Sequence, residues 1–280
     1  MVDRYRRLLA DFPDLPRATV ANANYRIGWG YHKLEQFAEA PAYLNKARKL
    51  APEYYSQPGG DLLILGAFRQ RDPFALHEAL QEVFKQAPAK MIPRHLLSWL
   101  GVQLFHEGET TLAAEYLERA TENTTPATSD LPVWRILAKA QNRAGSFEQA
   151  EATSLLLLDQ EKEPRWRADA FLDLAEARLG LKNYPSALEA TEKGLALEVA
   201  GPHLAGLRLV QGEVALGQNR WAEALEKFQI SIAMIPDDPL LQPRALHGGH
   251  LAALESGKER LAEDYRKQLK EKFPDWNPSE

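Results

Sequence analysis

The sequence predicts an all-α solenoid of helix–turn–helix repeats, and three periodic features carry that reading. Prolines at 13, 52, 88, 126, 164, 202, 236 and 274 recur at intervals of roughly 34–39 residues. Proline in a helix interior loses a hydrogen bond and clashes one turn back, so each marks the edge of a helical unit. Between them lie short turns: Glu107-Gly108-Glu109, Ala144-Gly145-Ser146, Leu181-Lys182-Asn183 and Gln218-Asn219-Arg220. Glycine and asparagine suit the left-handed conformation that ends a helix, so each unit divides into two helices. Third, small residues recur at Gly28, Gly66, Gly101, Ala138, Ala175 and Gly212, and again at Ala40, Ala113, Ala150, Ala187, Ala224 and Ala262. Two helices approach closely only where the crossing residues lack bulk.

Taken in order, residues 1–16 read as a half repeat. Hairpins follow over 17–55, 56–90, 91–127, 128–165, 166–201, 202–238 and 239–274, then a tail over 275–280. All of 1–280 is expected to form one solenoid. The second hairpin reads as shortened, without a clean small residue in its second helix. The seventh has Gly248 and Gly249 one or two positions ahead of register. The opening Tyr5-to-Asp14 segment is similar to Tyr265-to-Asp275, which ends the last hairpin. The first helix thus reads as the second half of a hairpin, either a cap or the edge of a truncated array, with truncation favoured.

These residues resemble the tetratricopeptide (TPR) pattern W-x2-L-G-x2-Y, then A-x3-F, a small residue and P. The first full unit reads Asn24, Ile27, Gly28, Tyr31, Ala40, Leu44, Ala47 and Pro52, and the fourth reads Trp134, Leu137, Ala138, Phe147 and Ala150. The sixth reads Gly212, Trp221, Ala224, Phe228 and Pro236. The resemblance spans essentially the whole chain and implies a right-handed superhelical solenoid. The run from Tyr5 to Gly28 is also similar to bacterial envelope TPR proteins of the YbgF and BamD type.

In TPR arrays the first helix of each hairpin lines the concave groove, and the resemblance carries that over here. The stripe then presents Tyr25, Trp29 and His32, followed by His95 and Trp99. Next come Arg135, Lys139 and Arg143, then Asp173 and Glu176, with Asp169 and Glu213 beside them. An aromatic, basic and then acidic run suits an extended peptide or protein segment with its own charge asymmetry. Aromatic and Arg side chains are the usual anchors of interfaces, although Trp and Tyr at helical spacing also pack against neighbouring hairpins. Trp134, Phe147, Tyr184 and Trp221 fall at family packing positions. The Lys and Asn clamp by which some TPR domains hold a terminal carboxylate is absent: its places hold Tyr25 and Trp29, Leu63 and Ala67, then Ser98 and Val102.

Composition narrows the function classes. Net charge is −5, from 34 basic and 39 acidic residues, so no global basic field draws in nucleic acid. Zero cysteines excludes thiolate metal sites and a Cys nucleophile. No apolar run reaches the ~18–20 residues that cross a bilayer, so direct membrane insertion is not expected. His247-x-x-His250 lacks a third ligand for zinc, and carboxylate pairs such as Asp169 with Asp173 read as solvated helix charge. Phosphate loops and nucleophile elbows are missing. No catalytic residue, cofactor or metal is therefore expected, and the sequence reads as a binding scaffold, part of a larger bacterial protein or assembly. A weakly self-associating solenoid and an α/α-toroid enzyme are the alternatives; the repeated small-residue crossing argues against the toroid. Both cytoplasm and periplasm suit the composition, the latter with an upstream leader.

Overall fold

The computed structural model describes residues 1–87, 90–198 and 201–277. Pro88, one of the boundary prolines, and the last three residues of the expected tail lie outside these. Among the described residues every regular element is helical, and the chain divides into two compact units, Met1–Glu107 and Gly108–Glu280. That division falls inside the span read from sequence as the third hairpin.

The first unit holds α1 (Val2–Asp11), α2 (Arg17–Lys33), α3 (Ala40–Leu50), α4 (Pro52–Gln70), α5 (Pro73–Gln86) and α6 (Arg94–His106). The second holds α7 (Thr110–Thr121), α8 (Leu131–Arg143), α9 (Phe147–Gln160), α10 (Pro164–Gly180) and α11 (Tyr184–Leu195). It continues through α12 (Pro202–Gly217), α13 (Trp221–Met234), α14 (Leu241–Glu255) and α15 (Glu259–Lys272). Pro52, Pro164 and Pro202 each open a helix. The first helical position has no intrahelical partner for an N–H, so a proline there loses nothing.

One hydrogen bond fixes the register of six hairpin turns. The amide of Gln36 donates to Tyr31 O, Asp72 to Ala67, Ser146 to Gln141, Asn183 to Arg178, Arg220 to Ala215 and Lys258 to Ala253. This is the six-to-one bond of a Schellman turn, and it requires a left-handed residue just before the donor. Gly145 and Gly257 supply it at φ 76° and 69°, Asn219 at 59°, and Glu35, Arg71 and Lys182 adopt it as well at 56–58°.

Counting back three residues from each acceptor locates the crossing position: Gly28, Ile64, Ala138, Ala175, Gly212 and His250. A Cβ on Gly28 would stand 2.6 Å from Leu44, and one on Gly212 would stand 2.8 Å from Phe228, so both glycines permit the contact with their own second helix. Two sequence expectations change here. Gly66 is not a crossing residue, because its open side faces His32 and Phe37 of the preceding hairpin. Ile64 takes the crossing place, while Gly59 and Gly60 admit Arg48 and Val83 nearer the start of α4. Nor is the second hairpin shortened, since α4 runs for 19 residues and α5 for 14. In the last hairpin the two glycines do precede the register, and His250 fills the crossing with its Nδ1 2.9 Å from Ala262 O.

Each unit has its own core. In the first, Val2, Ile27, Tyr31, Ala40 and Leu44 pack together, with Tyr5 and Leu9 of α1 against them. In the second, one cluster joins Phe171, Leu174, Ala187 and Leu207, and another joins Phe228, Ala245, Leu246 and Tyr265. Phe147 closes on Gly180 and Tyr184 on Gly217, so these aromatics stitch each hairpin to the next, as their family positions imply.

Candidate partner-binding faces

The first helices of the first unit, α2, α4 and α6, are tied to one another by aromatic contacts. Tyr25 stacks on Tyr55 with ring centroids 4.9 Å apart. Phe68 meets Trp99 edge-on at 5.2 Å and His95 at 6.3 Å. Trp29 is partly exposed and carries the Lys33 ammonium 5.3 Å from its ring, a cation–π distance. His32 is wedged between Phe37 and Gly66, and burial lowers its pKa against a hydrogen bond with the Leu62 backbone that raises it. His32 therefore serves packing between hairpins, whereas His95 is exposed.

In the second unit the corresponding face is polar and cross-linked from helix to helix. Arg135 of α8 donates to Glu161 at 2.6 Å while its guanidinium lies 3.8 Å from the Trp166 ring. The Lys139 ammonium sits between Asp169 and Asp173 of α10, 2.9 Å from each. Asn142 donates to the Asp173 backbone carbonyl at 2.8 Å. Asp169 also meets His203 of α12 at 3.4 Å. Arg244 of α14 bridges Glu176 at 2.7 Å and Glu213 at 2.9 Å. Arg143 is exposed at the end of α8.

Electrostatics follow from this crowding. Burial opposes the Lys139 charge, but attraction to Asp173 and Asp169 outweighs it and raises the ammonium above its ordinary range. Arg244 is raised in the same way by Glu213 and Glu176. Burial also works against Asp169, yet the His203 hydrogen bond and the Lys139 charge hold it down at about 2. For Asp173 burial dominates and pushes the carboxyl up to about 7, against the pull of Lys139. Burial raises Glu213 too, against Arg244.

Arg135, Lys139, Asp173 and Glu176 thus do come together on one helical face, as members of a ladder rather than as free groups. Asp173 is only 2% exposed, so its part is to hold Lys139 in place. Sequence reasoning missed Trp166, Glu161, His203 and Arg244. One signal was available for Arg244: it lies nine residues before its turn acceptor Ala253, as Asp169 does before Arg178. Among the described residues no group of three or more His, Asp or Glu side chains is arranged to hold a metal ion, and no helix is long and apolar enough to cross a membrane.

This is the architecture of a tetratricopeptide-repeat protein, and a solved structure of that class shares the fold. The thermophilic TPR protein TTC0263 of Thermus thermophilus is similar over 65% of this chain and 92% of its own, at 20% identity and a TM-score of 0.52. PilF of Pseudomonas aeruginosa is 18% identical over 93% of this chain and 95% of its own, with a TM-score of 0.48. The C-terminal part of a TPR repeat-containing protein from Cytophaga hutchinsonii is 16% identical over 91% and 97%, with a TM-score of 0.45. No family model matches the chain, and no curated protein matches it in sequence.

Proposed function

We propose that this chain is a binding scaffold whose first-helix faces hold an extended segment of a partner protein. The observation that carries this reading is the ladder of the second unit, in which Lys139, His203 and Arg244 are locked to carboxylates of neighbouring first helices and Arg135 to Glu161 at the end of α9. Side chains fixed before a ligand arrives need not be ordered on binding, which lowers the entropic cost of recognition. Four carboxylates, Asp169, Asp173, Glu176 and Glu213, surround two fixed cations, Lys139 and Arg244. Their excess favours lysine or arginine in the segment lying over α10 and α12. Exposed Arg143 at the end of α8 favours an acidic residue there. Aromatic rings on the first unit, Tyr25, Trp29 and Trp99, supply the amphipathic surface that anchors apolar side chains.

A peptide-display selection against the whole chain tests this. A photo-crosslinking residue at 143 or 166 should capture the selected peptides, while one at Glu189 or Glu226, exposed on second helices, should not. Arg143→Glu should weaken the best peptides roughly tenfold, the scale of one charge-assisted contact. Crosslinking confined to the second-helix positions would overturn the assignment.

A further inference from the structure

The first helices of the two units use their cations differently. In the second unit Arg135, Lys139 and Arg244 are all taken up by carboxylates of the chain itself. In the first unit Arg26, Lys33 and Arg69 are exposed, and among the described residues none of them has a carboxylate partner. Asp61, about two turns before Arg69 on α4, is already paired with Lys90.

Helical spacing sets these charges around an apolar centre. Arg26, Trp29 and Lys33 stand at i, i+3 and i+7 on α2 and so share one face, while Leu65 and Arg69 stand one turn apart on α4. The two helices pack along that stretch: Tyr25 stacks on Tyr55, and a Cβ on Gly66 would stand 3.2 Å from the His32 ring. Trp29 falls between Tyr25 and His32, and Leu65 adjoins Gly66, so the two apolar side chains lie on neighbouring stretches of face. Both stand two residues before their turn acceptors, Tyr31 and Ala67, the place that Lys139, Glu176 and Glu213 fill in the second unit. Trp29 is partly exposed and Leu65 is 44% exposed. Lys33 and Arg69 lie in the last turns of α2 and α4, where the helix dipole favours a cation. Arg26 lies in the middle of α2, beyond the reach of that effect.

We propose that this face docks an acidic segment of a partner protein, with a leucine or aromatic side chain against Trp29 and Leu65 and carboxylates beside Arg26, Lys33 and Arg69. The inference rests on the scaffold reading above and adds the sign of charge that the first unit selects. Charge complementarity carries it: exposed, unpaired cations around exposed apolar side chains attract carboxylates and repel a basic segment. The other polyanion, single-stranded nucleic acid, needs a continuous basic track with rings open to stacking. Here Tyr25 and Tyr55 stack on each other, and the Asp61–Lys90 pair interrupts the positive charge.

Fluorescence polarisation with the full chain tests this, using a labelled peptide of about ten residues that carries a Leu-Phe pair between two Asp-Glu pairs. The acidic peptide should saturate below ~1 mM. A version with lysine in place of each acid, and one with alanine in place of the Leu-Phe pair, should each bind roughly tenfold more weakly. Arg26→Glu should weaken the acidic peptide roughly tenfold at an unchanged melting temperature, and Arg26→Lys should keep most of the affinity. The proposal is overturned if acidic and basic peptides bind equally, if Arg26→Glu binds as the parent does, if the acidic peptide does not saturate, or if an oligothymidylate of similar length binds as tightly. Photo-crosslinking separates this from the scaffold reading. Capture of the lysine peptide as readily as the acidic one at Leu65 removes only the charge preference, whereas capture of neither at Leu65, and of no selected peptide at 143 or 166, removes the scaffold reading as well.

Discussion

Replacing Gly248 with alanine sets two well-defined effects against each other. Gly248 lies inside α14, where helix propensity alone favours alanine over glycine by about 1 kcal/mol. Packing argues the other way. A Cβ at 248 would stand 2.6 Å from Phe228 Cε1 and 2.8 Å from Cε2, with Cζ nearer still. Non-bonded carbons rest at ~3.5–4.0 Å, so the ring would have to retreat by roughly 1 Å or more. Little room is left for that retreat, because Phe228 is fully buried and also packs so close to Gly212 that a Cβ there would stand 2.8 Å from its Cε1. Overpacking of a closed core costs ~1–3 kcal/mol, and the rigidity of the ring places this site at the upper end. The expected net loss is therefore ~1–2 kcal/mol. Urea unfolding followed by circular dichroism measures it, in a cycle with Phe228→Leu, whose flexible side chain leaves room for the added methyl. Gly248→Ala should be neutral or better in the leucine background, a coupling of at least ~1 kcal/mol. An alanine variant as stable as the parent, or an uncoupled cycle, would refute the claim that glycine is held there by the ring.

Lys182 occupies the left-handed turn position at φ 57° that glycine holds at 145 and 257, so Lys182→Gly should raise stability by ~0.5–1 kcal/mol while Lys182→Ala should not, as urea midpoints will report. The pH dependence separates the two aspartates of the ladder. Asp173 titrates near 7 when folded and near ~3.9 when unfolded, so the stability it contributes is fully present below ~4 and is lost as pH rises to about 7. Asp169, held at about 2, contributes the reverse, present above ~4 and lost as pH falls toward 2. The stability difference between the parent and Asp173→Asn should therefore shrink across pH 4–7, by up to ~4 kcal/mol, and a difference that stays flat over that range would remove Asp173 as the titrating group.

Helix number, turn positions and most crossings were legible because each rests on local chemistry. Proline in the first turn opens a helix, as Pro52, Pro164 and Pro202 do, although Pro58 stands inside α4, and a left-handed turn residue ends one regardless of its neighbours. Gly66 shows where local chemistry runs out. Sequence spacing marks it as small but says nothing of which neighbouring helix its open side faces, and it faces His32 of the previous hairpin rather than its own second helix. With the register taken from the turn bond, the clamp positions of that hairpin become Asp61 and Leu65, and these also lack the Lys and Asn pair. The first-helix face was legible by position and illegible by partnership. Trp29, Lys139, Glu176 and Glu213 all stand two residues before their turn acceptors, so periodicity finds them together. Arg244 reaches Glu176 across 68 residues of sequence, through a long side chain that skips one hairpin, and no helical period encodes that reach.

The ladder also constrains how the second unit responds to a ligand. Buried ion pairs add little net stability, because desolvation offsets most of their attraction, whereas removing one partner strands the other at considerable cost. A face built this way is held more firmly in geometry than in energy: Lys139 cannot move without exposing two aspartates, and Arg244 cannot move without exposing two glutamates. The same crowding leaves one carboxyl whose proton occupancy changes near neutrality. Asp173 is the group poised for that change, since its carboxyl titrates near neutrality while Asp169 and Lys139 beside it stay charged. Under the proposed function, a lysine or arginine laid over α10 would favour the ionised form of Asp173, so that binding a basic segment and releasing a proton would be one linked event.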